Sequence, residues 1–515
     1  AAATVAVSAA VAVPKPHIVF FMADDTGWYN VGWHNKDIMT PNADGLVAEG
    51  IELDRHYAFV YCSPSRTSLM TGRFPFHAQQ YNYQNCDLHQ GAPDNMTFIS
   101  QKLKTAGYAT AQFGKWHLGM YSTRQIPRGR GFDTSLVYFE GAEDHFTQRS
   151  CQDPECIVPI SASSDSPYDF WLNDAPATGL AGKEYNGYMF NNYAVNYINS
   201  HDPATPMFMY LAPANSHTPL EVPAEWMAPY PQDWYIDRLQ YAGMCSLWDS
   251  TLGNVTKALK AKGMWENTLL VFSSDNGGPT YWSTTPSFQH GAGANNWPLK
   301  GSKVSAWEGG IRVAAFASGG MIPSAMRGTK VETFISMADW YATFCSLAGV
   351  DPTDTMAAAA GLPPIDSKNV WSTLTGESKA AVREVLPAVV EFAPGHGGNS
   401  NVSALLIGER WKFLIGQQVL SYWQSPDFPN ASSVPYGQLW DPSLRELCLP
   451  CLFDVIADPG EHNNVAKENP DIVKEAFAAL ATARQTLFDR GSLKDTDACQ
   501  AQVQKNGGFY GPWVQ

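Results

Sequence analysis

Four short apolar runs, each closing on a polar cluster, set the pattern of this chain. Residues 17–23 (His-Ile-Val-Phe-Phe-Met-Ala) run into Asp24-Asp25, and 108–113 run into Gly114-Lys115-Trp116-His117. Residues 206–212 lead to Asn215-Ser216-His217, and 268–274 end at Asp275-Asn276-Gly277-Gly278. The runs are short, rich in strand-forming residues and apolar without alternation, as strands buried on both faces are. Between them, 97–106 and 239–262 repeat apolar positions at helical spacing. Strands alternating with helices predict a largely parallel sheet covered on both faces. Ligands of such sheets bind beyond the carboxyl ends of the strands. All four polar clusters fall there, so one site can collect them.

A Gly/Pro/Ser-rich shift over 351–367 precedes a change of pattern. Residues 403–406, 411–415 and 418–422 read as short strands, followed by Leu452-Phe453-Asp454 and a helix over 471–489. That predicts a smaller antiparallel sheet with a packed helix. The expected organisation is an apolar N-terminal segment over 1–13, a catalytic domain over 14–375 and a smaller domain over 376–515. The first segment reads as a signal-peptide remnant or a frayed terminus.

Composition narrows the function classes. A net charge of −15 argues against an electrostatic nucleic-acid binder, and a polyanionic substrate would need a local basic pocket. No apolar run reaches the roughly 18 residues that span a membrane. Nine cysteines and four sequons, at Asn95, Asn254, Asn401 and Asn430, favour a secretory route and N-glycans. With Cys62 set aside, Cys151 pairs naturally with Cys156 and Cys448 with Cys451. Cys86 with Cys499 would tie the C-terminus back, leaving Cys245 with Cys345; eight cysteines admit 105 connectivities.

Asp24, Asp25, Asp275 and Asn276 are oxygen donors suited to a hard cation, Ca²⁺ or Mg²⁺. An isolated Asp-Asp more often caps a helix, and Asp-Asn-Gly-Gly alone passes as a turn. Their shared place after strands favours metal. Lys115 and His117, two residues apart, supply fixed charge and a proton carrier to one site. Cys62 opens Cys62-Ser63-Pro64-Ser65-Arg66-Thr67-Ser68-Leu69-Met70-Thr71-Gly72-Arg73. The run reads as a helix start, where N–H groups and the dipole favour an anion and an easily ionised thiol. A cysteine taken at random in a secreted protein is more often half of a disulfide.

This run resembles the signature of the type I sulfatases, in which the cysteine becomes Cα-formylglycine. Gly114-Lys115-Trp116-His117-Leu118-Gly119 is similar to the second sulfatase signature. Further stretches, Asn295-Asn296-Trp297-Pro298-Leu299 and Gly511-Pro512-Trp513 among them, look closest to arylsulfatase B-like members, a group that includes an N-acetylgalactosamine-4-sulfatase. The resemblance implies an alkaline-phosphatase-like α/β fold, with a large mixed, mostly parallel sheet between helices and a small C-terminal antiparallel sheet plus helix.

It also implies a divalent cation at Asp24, Asp25, Asp275, Asn276 and position 62, and sulfate-ester hydrolysis of a small-molecule or glycan substrate. Of the two hydroxyls of the hydrated aldehyde, one attacks sulfur and the other expels sulfate. Lys115, Lys303 and Arg66 hold charge, Arg66 reaching back toward position 62. His217, with Lys303, protonates the leaving oxygen, and His117 takes a proton from the second hydroxyl. Lys303 is preferred over Lys300 as the sulfate-binding lysine.

A formylglycine-generating enzyme is the implied biosynthetic partner, and the destination is lysosomal or extracellular. The loops 140–166 and 395–401 are expected at the pocket mouth. There Phe139, His145, Trp171 and His396 either grip a sugar or aryl ring or merely pack, with packing favoured for each. Two other readings remain open: a phosphodiester or phosphonate-ester hydrolase of the same superfamily, and a secreted glycan-binding protein with unconverted Cys62.

Overall fold

The computed structural model describes residues 14–82, 85–151, 166–280, 293–393, 401–427 and 444–514. Among them, ten strands form one mixed sheet. Their order is Thr329–Val331, Ile51–Leu53, Ala315–Ser318, Thr268–Ser274, His17–Ala23, Met207–Ala212, Ala109–Lys115, Thr134–Tyr138, Trp171–Leu172 and Ala175–Pro176. The four apolar runs of the sequence are the adjacent middle strands, all parallel. Their parallel register brings all four polar clusters to one edge of the sheet.

Period two divides His17–Ala23 between two cores. Ile18, Phe20 and Met22 share one hydrophobic cluster with Leu69, Leu103 and Phe344, from the helices Cys62–Thr71, Ile99–Thr105 and Asp339–Ala348. Val19, Phe21 and Ala23 share the other with Leu46, Phe190 and Trp248, from Pro41–Ala48, Asn186–Ser200 and Ile236–Ala261. This layering corrects one expected disulfide. Cys345 lies in the first core and Cys245 in the second, both as free thiols, so the sheet separates them. Cys86–Cys499 and Cys448–Cys451 are formed. Cys151 is disulfide-bonded too, and its expected partner Cys156 lies outside the described residues.

A second sheet runs Val385–Phe392, Val402–Ile407, Trp411–Gln418 and Glu446–Asp454, antiparallel throughout. The helix Pro470–Arg484 packs on it through Ala476, Leu480 and Ala483. Two expectations are corrected. The expected strand over 418–422 stops at Gln418. Leu420 takes φ +52°, and the chain turns toward the catalytic sheet, where Tyr422 accepts the Gly301 N–H. The helix ends at Arg484 rather than 489, because Phe488 leaves to donate its N–H to Phe76. The strand Val385–Phe392 escapes sequence reading because Pro387 and two register shifts break its period.

A buried ionic cluster ties the second sheet to the short helix Glu308–Ile311 of the catalytic region. Lys412 Nζ lies 3.0 Å from Glu308 and 2.9 Å from Glu461, all three buried. Lys412→Met should destabilise the fold by about 3 kcal/mol, since it removes the cation shared by two buried carboxylates and leaves Glu308, among the described residues, only the Arg312 cation at 3.7 Å. Urea unfolding of the purified variant measures it.

Two buried acids make stability depend on pH. Burial pushes Asp169, which accepts the Phe139 and Glu140 N–H groups, up to about 7. Glu221, which accepts the His145 N–H, is likewise pushed up to about 7 by burial. The folded state therefore holds these protons more tightly than the unfolded chain. Their contribution is complete below the ordinary carboxylate pKa and is lost as pH rises through 7. Burial pushes His56 down to about 3, which opposes this only below the unfolded histidine value of 6.5. The unfolding temperature should therefore rise from pH 8 to pH 6.5, and Asp169→Asn should flatten that rise in calorimetric scans.

Candidate active site

Cys62 is the first residue of the helix Cys62–Thr71, preceded by Tyr61 in extended conformation. All ten helix residues are buried. Pro64 stands in the first turn, where a missing N–H removes no helical bond. Gly72 ends the helix at φ +67°, where a Cβ would meet the Tyr341 ring at 2.8 Å. The free N–H of Ser63 is taken by Asn82 Oδ1 at 3.1 Å. The expected easy ionisation of Cys62 is overturned. Burial, with Asp275 and Asp25, pushes the thiol up to about 12 against the pull of Lys115 and Lys303.

The carboxylates converge beside this thiol. Asp25 Oδ1 lies 3.8 Å from Cys62 Sγ. Lys303 Nζ meets the two Asp25 oxygens at 2.6 and 2.7 Å, and Asn276 Nδ2 donates to Oδ1 at 2.7 Å. Burial alone would raise Asp25, but Lys303 and His217 hold it below the ordinary carboxylate range. Asp24 takes Lys115 Nζ at 2.8 and 3.1 Å. Asp275 Oδ2 takes Arg66 Nη2 at 2.8 Å and Nε at 3.1 Å, while its Oδ1 accepts the Asp25 N–H. Three carboxylates thus face three cations, a local balance that the acidic whole does not share. Gly277 permits this crowding, since a Cβ there would stand 1.8 Å from Gly309 O.

Arg66 departs from its expected place. Its guanidinium is bound to Asp275, Asp24, Tyr210 Oη and the Lys115 carbonyl, so it braces carboxylates rather than turning back to position 62. His117 follows Lys115 at φ +51°, its N–H donated to Phe139 O. Burial first, then Lys115, sets it well below the usual histidine range. His217 Nδ1–H donates to Thr218 O at 2.6 Å, leaving Nε2 3.5 Å from Lys303 Nζ and 3.6 Å from Asp25. The side chains of His217 and Lys303 keep 11% and 10% of their surface exposed, against none for Lys115 and Arg66. The site therefore opens past these two residues. Lys300 is elsewhere, paired with Glu446 over the Trp307 ring.

The Sulfatase family matches residues 16–350. The chain belongs to the sulfatase family. It is a sulfuric ester hydrolase, 31% identical over 521 residues to arylsulfatase J of Mus musculus, covering 97% of this chain and 81% of that protein. It is 28% identical over 356 residues to N-acetylgalactosamine-6-sulfatase of Mus musculus, covering 67% and 64% of the two chains. The crystal structure of Ps i-CgsB in complex with k-i-k-neocarrahexaose superposes with TM-score 0.73 at 26% identity, covering 96% of this sulfatase and 98% of that chain.

Membership implies a formylglycine and a divalent cation. The residues fit such an ion. Ligand atoms of Asp24, Asp25, Cys62 and His217 lie within 4.8 Å of one another, and Asn276 Oδ1 is buried with no partner among the described residues. An orphaned buried carbonyl beside three carboxylates is a hard-cation donor set.

Several residues support the site in roles that the sequence did not assign. Tyr241 Oη donates to Asp25 O at 2.6 Å from the second turn of the helix Ile236–Ala261. Asn296 staples three site loops, accepting Trp28 and Gly278 N–H and donating to Gly278 and Gly301 O. Tyr210 lies within an apolar strand. Of the expected mouth residues, Phe139, His145 and Trp171 are buried. His145 Nε2 donates to His217 O, and Asn186 holds its Nδ1. His396 lies outside the described residues, as does most of each expected mouth loop.

Proposed function

We propose that this sulfatase cleaves the sulfate ester of a glycan or aryl alcohol at a formylglycine made from Cys62, with Ca²⁺ at Asp24, Asp25, Asp275, Asn276 and position 62. One observation carries the reading: four clusters at strand ends, far apart in sequence, meet around Cys62 in a buried pocket of paired charges that opens past His217 and Lys303. The sugar substrate is supported by the names of its relatives, an N-acetylgalactosamine-6-sulfatase and a structure holding neocarrahexaose.

When formed, the hydrated aldehyde supplies one hydroxyl to attack sulfur and another through which sulfate leaves. The bound cation would polarise sulfate oxygens as a Lewis acid. Lys115 and Arg66 fix the carboxylates that hold it, and their charge offsets the negative charge that builds on the ester. With its Nδ1 proton donated to Thr218 O, neutral His217 turns the lone pair of Nε2 to Lys303. Lys303 Nζ therefore protonates Nε2, and that Nε2–H, with Nδ1–H still on Thr218 O, is the proton given to the leaving oxygen at the open side. His117, neutral and enclosed, takes the proton from position 62.

Cys86–Cys499, Cys448–Cys451 and the bonded Cys151 support an oxidising, secretory compartment, lysosomal or extracellular. No helix among the described residues is long and apolar enough to cross a membrane. Asn95, Asn254 and Asn401 are exposed, as N-glycan acceptors must be, while Asn430 lies outside the described residues. A formylglycine-generating enzyme is the biosynthetic partner.

The test pairs two measurements on secreted protein. The position-62 peptide should carry an aldehyde that reacts with a hydrazide probe, and p-nitrophenyl sulfate should be hydrolysed faster than p-nitrophenyl phosphate or a phosphonate ester. Faster phosphate or phosphonate cleavage would favour the phosphoester reading. An unmodified Cys62 with glycan binding and no turnover would favour the binding-protein reading.

A further inference from the structure

His145 is buried in the loop that follows Glu140, and its main chain is held without help from its ring. Its N–H donates to Glu221 Oε2 at 3.0 Å. Its carbonyl accepts the Asn186 N–H and Gln148 Nε2, each at 2.8 Å. The imidazole is therefore not needed to close its own loop. It reaches instead to the loop that presents His217.

Asn186 sets which nitrogen of that ring carries the proton. Asn186 Nδ2 donates to Glu143 Oε1 at 2.8 Å and to His145 Nδ1 at 2.9 Å. An accepting Nδ1 leaves the proton of a neutral ring on Nε2. Burial holds this ring below the usual histidine range, so it is neutral. Nε2–H then donates to His217 O, 3.2 Å away, and the Pro219 backbone bonds the same ring. Glu143 and Asn186 are fully buried, so the chain Glu143–Asn186–His145 starts inside the fold and meets the site at the His217 carbonyl.

The loop it meets needs such support. Ser216, just before His217, takes φ +83°, a backbone conformation that residues with side chains rarely adopt. His217 N–H closes back on Ala214 O at 3.1 Å, and its Nδ1–H is tied to Thr218 O at 2.6 Å. The ring is thus fastened to its own main chain, and Nε2 moves when that chain moves. Nε2 has to keep its place 3.5 Å from Lys303 Nζ and face the leaving oxygen as well. A misplacement of about 1 Å in such a group costs up to about a hundredfold in rate.

We propose that His145 is a positioning residue for the proton donor: its Nε2–H, oriented by Asn186, holds the His217 carbonyl so that His217 Nε2 meets the leaving oxygen. The effect falls on esters of sugar alcohols, whose oxygen leaves only when protonated. The inference rests on the reading that His217 protonates the leaving oxygen, and its test separates the two. kcat/KM is measured for p-nitrophenyl sulfate, whose phenolate leaves without a proton, and for a sulfated monosaccharide. His217→Ala should raise the ratio of the first to the second by about 10²–10⁴-fold, the usual worth of a positioned acid. His145→Phe keeps a ring but has no donor, and should raise the ratio by about tenfold, the worth of one good hydrogen bond. His145→Gln restores a donor and should bring the ratio back to within about threefold of the parent. His145→Phe added to His217→Ala should raise it no further, since both act through one proton.

A merely structural role would slow both substrates alike. A ratio unmoved by His145→Phe, while His217→Ala moves it, would therefore overturn the positioning role. If His145→Phe does not fold, Asn186→Ala, which releases the His145 ring, takes its place and should move the ratio in the same direction. If His217→Ala leaves the ratio unchanged, or no sulfate ester is cleaved, the catalytic reading fails by itself. NMR of ¹⁵N-histidine-labelled protein then decides the positioning. The His217 ring signals, identified by their loss in His217→Ala, should shift in His145→Phe, and unshifted signals overturn the assignment.

Discussion

Asp25→Asn should lower kcat/KM for a sulfate ester by about a thousandfold or more, because one side chain serves several functions at once. Asp25 holds Lys303 with both oxygens, accepts from Asn276 and stands beside Cys62 and His217. The substitution is chosen to spare the backbone. Asp25 sits at φ +58°, a conformation that asparagine tolerates and most residues do not. What changes is charge. Lys303 loses its counter-ion in a buried place, and the cation site loses one of its three carboxylates. Calcium titration by calorimetry should therefore show weaker binding in step with the loss of turnover. Full activity in the variant, or lost activity with unchanged calcium affinity, would remove Asp25 from the metal set.

His117→Ala should lower kcat by about 10²–10⁴-fold, the usual worth of a positioned acid or base. KM should change by less than about threefold, since the imidazole is asked to act after the substrate is bound. Burial and Lys115 keep it below the usual histidine range, so it is neutral and able to accept a proton at neutral and mildly acidic pH. Added imidazole should restore part of the rate in the alanine variant. A variant with ordinary kcat would show that His117 merely fills space beneath Lys115.

The strands that carry the site were legible because each is an unbroken apolar run, and a run buried on both faces has a single reading. The polar ends followed from the rule that parallel sheets bind ligands at one edge. Arg66 was misplaced because helical spacing says that it lies one turn past Cys62 but not which carboxylate outcompetes position 62 for its guanidinium. The thiol was misjudged for a related reason. A helix start favours an anion, yet burial outweighs the dipole, and burial belongs to the assembled molecule. Asn296 and Tyr241 lie in stretches that resemble the family, but their roles were not legible, because a staple is recognised only when its loops are brought together. Cys245 and Cys345 looked like the remaining pair until the sheet between them was seen.

The position of His17–Ala23 has a consequence for biosynthesis. This strand is made early but sits mid-sheet, between Met207–Ala212 and Thr268–Ser274. At ~5–20 residues per second, its second neighbour leaves the ribosome on the order of ten to fifty seconds later. During that interval Asp24 and Asp25 lack the loop that carries Asp275, and nothing yet seals Cys62. After the sheet closes, Cys62 is 1% exposed and beyond the reach of another protein. On the proposed reading, oxidation of Cys62 would therefore be a race with chain completion. Slower elongation between residues 62 and 268 would enlarge the converted fraction, and faster elongation would leave folded molecules permanently without a nucleophile.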